Sequence, residues 1–187
     1  MLRRCLYHFS GFLPCKSIRG NAEVPYMERY FLLDCFGTRI YLHRFLGGDA
    51  EEAVHDHPWA KAKALVLTGR YEELRTVVEK TETTSEPAIR EQRFVRKAGG
   101  FNTILGNTLH RIVRTEPETW TLFCHTRDKV KPWGFLQIND KGDTEIIPHQ
   151  SSHQANWEKF QPRGRKLPER APYLPRHAVP DDLLIKD

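Results

Sequence analysis

His55-Asp56-His57-Pro58-Trp59 is the stretch on which the fold reading turns. Two histidines one residue apart on a strand project from the same face, because strand side chains alternate with period two. Their imidazoles can then grip one ion; zinc, iron, copper and nickel all suit imidazole, so the pair alone does not choose the metal. Outward from this pair the chain reads as strands. Residues 61–68 put Ala62, Ala64, Val66 and Thr68 on one face and Lys61, Lys63, Leu65 and Leu67 on the other. The first face is small, and small inward side chains leave room inside a barrel. Upstream, residues 29–34 and 39–46 form strands about a turn at Phe36-Gly37-Thr38, with Tyr41, His43 and Phe45 sharing a face opposite Ile40, Leu42 and Leu46. Gly47-Gly48-Asp49 breaks the second strand, and acidic residues 49–52 read as an exposed loop or one helical turn.

Downstream, Gly69 closes the alanine strand and residues 71–78 continue as another. Residues 80–91 are polar, contain Pro87 and read as a loop. Short strands follow at 92–96, 101–105, 109–115, 119–126, 131–139 and 144–148. Gly99-Gly100 turns the chain, Gly106-Asn107 is a tight-hairpin signal because both residues tolerate positive φ, and residues 140–143 join the last pair. Many short strands with almost no helical period point to an all-β barrel or double-sheet jelly roll over residues 26–148. Residues 1–25 read as irregular, with Gly11, Pro14, Gly20 and Pro25 as breakers. Residues 149–187 carry prolines at 162, 168, 172, 175 and 180 among arginines and lysines, which predicts an extended tail around the barrel or a second subunit. Trp157, Phe160 and Tyr173 would be its anchors.

The 187 residues suit one domain with appended segments, and 39% hydrophobic against 28% charged residues is a globular composition. No run of about 18 apolar residues suggests a membrane span. A net charge of +5 permits an acidic partner, but no nucleic-acid reader motif is present, so nucleic acid is not expected. Cys5, Cys15, Cys35 and Cys124 lack C-x-x-C spacing and read as reduced thiols in a cytoplasm rather than a zinc knot. The first twelve residues have neither a continuous apolar core nor a small-residue cleavage site and read as a flexible lead-in, not a secretory signal.

At these residues the chain resembles the cupin superfamily, over about residues 39–126. His55 and His57 stand where its first motif has its histidine pair, and Gly69 falls at that motif's glycine. Gly99, Leu105, Asn107 and His110 occupy positions of the second motif, His110 at its histidine. It is most similar to small bacterial and phage cupins with His-x-His-Pro-Trp, Gly-x-Tyr-x-Glu (here Gly69-Arg70-Tyr71-Glu72-Glu73) and Trp-Gly-Phe (here Trp133-Gly134-Phe135). The resemblance implies a double-stranded β-helix and a metal held by His55, His57 and His110. It also implies pairing through sheet edges as a homodimer. Two positions depart from the pattern: the usual glutamate ligand falls at Ala62 and the asparagine at Arg114.

Three neutral imidazoles with open positions suit a divalent transition metal, iron first, as in the all-histidine sites of thiol dioxygenase-type cupins, with zinc, nickel, manganese or an empty site as alternatives. Around it, His43 and His125 read as a fourth ligand, a group behind the ligands, or hydrogen-bonded core histidines. Tyr71 and Trp59 would line or close the mouth. Glu72 or Glu73 would either swing in for the absent carboxylate or sit on a solvated face. Arg114, sharing the parity of His110, would clamp a substrate carboxylate or phosphate if it points inward, or sit in an ion pair. The expected function is a mononuclear, iron-type oxygenase acting on a small molecule. The alternatives are a binding cupin for a sugar, nucleotide or small acid, and a metal-independent sugar isomerase or epimerase using His55, His57 and Tyr71 as acid and base.

Overall fold

The computed structural model describes residues 1–19, 25–47, 53–79, 88–139, 143–149 and 157–186. The expected acidic loop at 49–52, most of the expected loop at 80–91 and the turn at 140–142 lie outside them. The described chain runs α1 (Leu2–Ser10), β1 (Cys15–Arg19), β2 (Pro25–Cys35), β3 (Thr38–Phe45), β4 (Lys61–Thr68), β5 (Arg70–Glu79), β6 (Ala88–Lys97), β7 (Phe101–Leu105), β8 (Leu109–Thr115), β9 (Thr119–Thr126), β10 (Gly134–Ile138) and β11 (Thr144–Pro148). One sheet has the order β1-β2-β3-β9-β4-β7, antiparallel throughout.

The other sheet joins β6-β5-β8 to β10-β11, and the join is the histidine stretch itself. The His55 amide donates to the His110 carbonyl at 3.0 Å and the His110 amide returns to the His55 carbonyl at 2.9 Å. On its other side the Leu136 amide reaches the Val54 carbonyl at 2.8 Å. Residues 54–56 therefore act as a short strand wedged between β8 and β10, and the two sheets close as a jelly roll.

In β4 the alternation holds: Ala62, Ala64, Val66 and Thr68 are buried while Lys61 and Lys63 are exposed. Ala62 and Ala64 pack with Tyr41, Ile104 and Phe123 inside the barrel. On β2 and β3 both faces are buried. Tyr41, His43 and Phe45 face the interior, while Tyr30 and Leu42 pack outward with Cys15, Trp120 and Leu167.

That outer layer comes from the two ends of the chain. Residues 1–25, expected to be irregular, contain α1 and β1. The helix is too short for periodicity to betray it, and packing holds it, with Leu6, Tyr7 and Leu13 against the outer cluster. The tail is extended, with four short 3-10 turns among its described residues, and it is anchored by Leu167, Val179 and Ile185. Trp157 stacks near Tyr41 and Tyr173 near Tyr7, but Phe160 is 67% exposed and anchors nothing.

A buried charge cluster stitches the tail down. Arg44 lies between Glu28 and Glu118, all three almost fully buried. Its guanidinium donates to the carbonyls of Ala171 at 2.7 Å and Pro172 at 2.8 Å, while Glu28 and Glu118 accept from the amides of Ala171 at 2.8 Å and Leu174 at 3.1 Å. Every charge is thus met by an opposite charge or a tail dipole, as burial requires.

Several strand boundaries shift, β2 starting at Pro25 rather than at 29. Residues 88–91 continue β6, because pairing with Thr76–Glu79 of β5 outweighs their polar composition on an edge strand. β10 begins at Gly134 rather than at 131, since Pro132 cannot donate to a ladder. The Gly106 turn is not a hairpin: β7 pairs with β4 and β8 with β5, so it carries the chain from one sheet to the other. Neither Gly106 nor Asn107 has positive φ.

Candidate metal centre

Alternation across the wedge sends His55 and His57 inward and Asp56 the other way. The Asp56 carboxylate accepts from the Gly134 amide at 2.9 Å and pairs with Lys131, which fixes the pitch of the segment. The His57 amide donates to the Gly106 carbonyl at 3.3 Å, and the Gly106 amide to the Ala60 carbonyl at 3.1 Å. A side chain at 106 is impossible here, because its Cβ would lie 2.4 Å from the Trp59 carbonyl oxygen. Close approach, rather than positive φ, is what this glycine permits.

His110 enters from β8. The three imidazole rings form a nearly equilateral triangle: His55–His57 centroids are 5.3 Å apart, His55–His110 5.1 Å and His57–His110 5.0 Å. One ring nitrogen from each lies within 4.8 Å of the others, and the Nε2 atoms of His57 and His110 are 2.8 Å apart.

Glu73 sets the tautomer of His110. Its carboxylate is fully buried, 2.9 Å from His110 Nδ1, and it also accepts from Asn102 at 3.1 Å and from Arg96 at 2.8 and 3.0 Å. Burial acts to raise the Glu73 carboxyl, but the hydrogen bonds from His110, Asn102 and Arg96 outweigh it and hold it at about 2. An ionised carboxylate only accepts, so His110 Nδ1 carries a proton and donates it to Glu73. Glu73 is therefore neither a solvated residue nor a wall of the pocket; it fixes His110 from behind.

Burial, and then the neighbouring His110, pushes His55 down to about 3 and His57 well below its ordinary value. Neutral imidazoles are what a metal needs. The donor set thus fits a divalent transition ion: His55, His57 and His110 can hold it, and Ala62, buried opposite His125 and Ile104, brings no carboxylate.

The triad lies in the wall of a cavity of about 90 Å³, enough for roughly six to nine waters at about 10–15 Å³ each. Of the other sequence candidates, His43, Trp59 and Tyr71 line it. His43 Nε2 accepts from Arg29 Nε at 3.1 Å, so that lone pair is already used. The Tyr71 hydroxyl accepts from Asn102 at 3.0 Å, and burial, with Glu73 adding to it, pushes it up to about 12.

Three candidates stand elsewhere. His125 lies behind Trp59, stacked at 3.8 Å between ring centroids, and its Nδ1 lies 2.6 Å from the Thr126 carbonyl. Glu72 is half-buried on the parity opposite to Glu73. Arg114 points out of the barrel to the carbonyls of Asp182 and Leu184 in the tail. The cause is a bulge: Glu73 pairs with Ile112 but Glu72 with Arg114, so Val113 is an extra residue and inward parity switches from even to odd numbers. Sequence reasoning missed Arg29, Asn102 and Thr121 on the cavity wall. No periodic signal marks Arg29, because both faces of β2 are covered.

No protein-family model matches the sequence, and no curated protein matches it. Among solved structures, the chain is similar to a Streptomyces albus HEPD with 2-hydroxyethylphosphonate and Fe(II) bound (11% identity, 64% of this chain and 25% of that one, TM-score 0.47). It is also similar to an Fe(II) form of HppE with an alternative substrate (10% identity, 63% of this chain and 57% of that one, TM-score 0.44). A third similarity is to a cupin superfamily protein from Desulfitobacterium hafniense (15% identity, 60% of this chain and 84% of that one, TM-score 0.37). The chain thus spans little more than half of HppE and a quarter of HEPD. The fold is an antiparallel jelly-roll barrel. Within the barrel the histidine pair lies on the wedge and His110 on the adjacent strand, so the two stretches meet at one backbone bridge.

His125 gives this barrel a defined acid sensitivity. Burial pulls it from 6.5 down to about 4. Between those values the unfolded chain binds a proton that the folded one refuses, so stability falls as pH drops through this window. From pH 7 to pH 5 the loss from this group is about 2 kcal/mol. Urea unfolding of chelator-treated protein at the two pH values is expected to show His125→Gln losing less than the native chain by about that amount. Parallel losses in the two proteins would refute the assignment.

Proposed function

We propose that the chain holds one divalent transition metal through His55, His57 and His110 and acts as an iron-type oxygenase on a small molecule. The observation that carries this reading is the convergence of three imidazoles, two half-buried and one buried, on the wall of one cavity, with His110 oriented by a buried carboxylate. A ferrous ion bound there would supply open positions for substrate and dioxygen side by side. The protein's own part is orientation and an apolar wall. Glu73 keeps the Nδ1 proton on His110, Trp59 and Phe123 line the cavity with aromatic rings, and Tyr71 remains a protonated hydroxyl at neutral pH. With no carboxylate at position 62, a metal held there by the three histidines would have one protein ligand fewer and one more position open to substrate.

Oxygen uptake by iron-loaded protein across a panel of small thiols, catechols and hydroxy acids tests this. The expected result is consumption that needs both iron and one substrate class; no uptake anywhere in the panel would overturn the oxygenase assignment. Ala62 also favours a second reading, a small-ligand-binding cupin in which the metal is structural or not taken up. Metal content far below one per chain after purification without chelator would select it. A homodimer belongs to the same proposal: β7 is an edge of the larger sheet and leaves Phe101 70% and Leu105 49% exposed.

A further inference from the structure

Arg29 occupies an unusual place. It sits on β2 between Met27 and Phe31, whose partners across the ladder, Phe45 and Tyr41, face the barrel interior. Its own partner is His43, and the next residue across the sheet is Thr121 on β9. Arg29, His43 and Thr121 therefore form a row over three adjacent strands, all on the inner face and all lining the cavity that holds the histidine triad.

Two members of this row have unused hydrogen-bonding capacity. The guanidinium lies 5.6 Å over the Tyr41 ring and gives its Nε proton to His43 at 3.1 Å, but among the described residues no carboxylate is within ion-pair distance of it. Other buried-side arginines do not share this condition: Arg44 has Glu28 and Glu118, and Arg75 and Arg96 have Glu73. The Thr121 hydroxyl is buried, with the residue only 1% exposed, and among the described residues it has no hydrogen-bond partner. A half-buried guanidinium without a counter-charge loses part of its hydration uncompensated, and an orphaned buried hydroxyl is costly too. Burial, and then Arg29 itself, holds its partner His43 neutral.

We propose that Arg29 and Thr121 form an oxyanion-binding site, so that the cavity takes a small molecule with a carboxylate or phosphoryl head. The planar fork of Arg29 meets two oxygens of the head, and the Thr121 hydroxyl donates to it. The cavity volume of about 90 Å³ restricts the remainder to a few atoms. That these atoms end at the histidines rests on the metal reading above; the anion site does not.

The test is calorimetric titration of inorganic phosphate, succinate and neutral succinamide into iron-loaded and chelator-stripped protein. At least one anion is expected to bind, with succinamide at least about tenfold weaker, and the better anion identifies the head as phosphoryl or carboxylate. Arg29→Gln is expected to weaken anion binding roughly ten- to a hundredfold, Arg29→Lys less, and the near-isosteric Thr121→Val by several-fold. Anions binding no better than succinamide would overturn the proposal. So would unchanged affinity in Arg29→Gln, or, if that variant does not fold, in both Arg29→Lys and Thr121→Val. His55→Ala separates this from the metal reading. Anion binding that survives there and is lost in the Arg29 variants supports the site whatever the metal does; anion binding lost in His55→Ala but kept in the Arg29 variants refutes it.

Discussion

His57→Ala is expected to lower affinity for Fe(II) or Zn(II) by about a hundredfold or more. Loss of a partner outside the ligand sphere typically costs about ten- to a hundredfold, and loss of a ligand costs at least as much. His57 holds the centre of the site: its Nε2 is 2.8 Å from that of His110, and its ring packs between the triad and Trp59. Truncation leaves His55 and His110 as a two-point contact, which water can compete for. Calorimetric metal titration and elemental analysis after dialysis measure the loss. His125→Gln is the control, because that ring lies behind Trp59 and takes no part in the triad. One metal per chain retained in His57→Ala would remove the three-histidine centre from consideration.

How much of this was readable beforehand follows from which signals survive folding. The histidine pair and the alanine face of β4 are local alternations on strands with one wet or open side, and such alternation transfers directly from sequence to space. The fold class followed from them. Arg114 failed because one inserted residue, Val113, reverses parity for everything after it, and a bulge of that kind leaves no mark in composition. Arg29 failed for a different reason: the helix and tail cover the outer face of β2 and β3, so Glu28 and Arg44 are as buried as the inward residues and the strands carry no wet side to read. Among the tail's expected anchors Phe160 failed by size, since it is the larger residue but stays exposed while Leu167, Val179 and Ile185 are buried against the barrel. Glu73 was visible as a carboxylate one residue beyond Glu72, but its role depends on four partners drawn from β6, β7, β8 and its own strand, which no spacing rule brings together.

Those four partners make Glu73→Gln the second large effect. The amide keeps the size of the carboxylate but removes the charge that Arg75 and Arg96 share. Breaking a buried pair costs about 3–5 kcal/mol when the survivor is sealed from water. Here the two arginines keep 24% and 21% exposure, so the expected loss is smaller, about 2–4 kcal/mol in urea unfolding. The effect on the site is separate. A glutamine can turn its NH2 toward His110 Nδ1, which then accepts instead of donating, and the proton moves to Nε2, the nitrogen that faces His57. That tautomer has no lone pair for an ion. Metal affinity is accordingly expected to fall about ten- to a hundredfold, the range for losing a carboxylate behind a ligating histidine. Glu73→Asp separates the two consequences: it restores the charge, and with it most of the stability, but its shorter arm cannot reach all four donors, so the metal affinity recovers less. Native metal affinity in a folded Glu73→Gln protein would show that the carboxylate stabilises the barrel without setting the chemistry of His110.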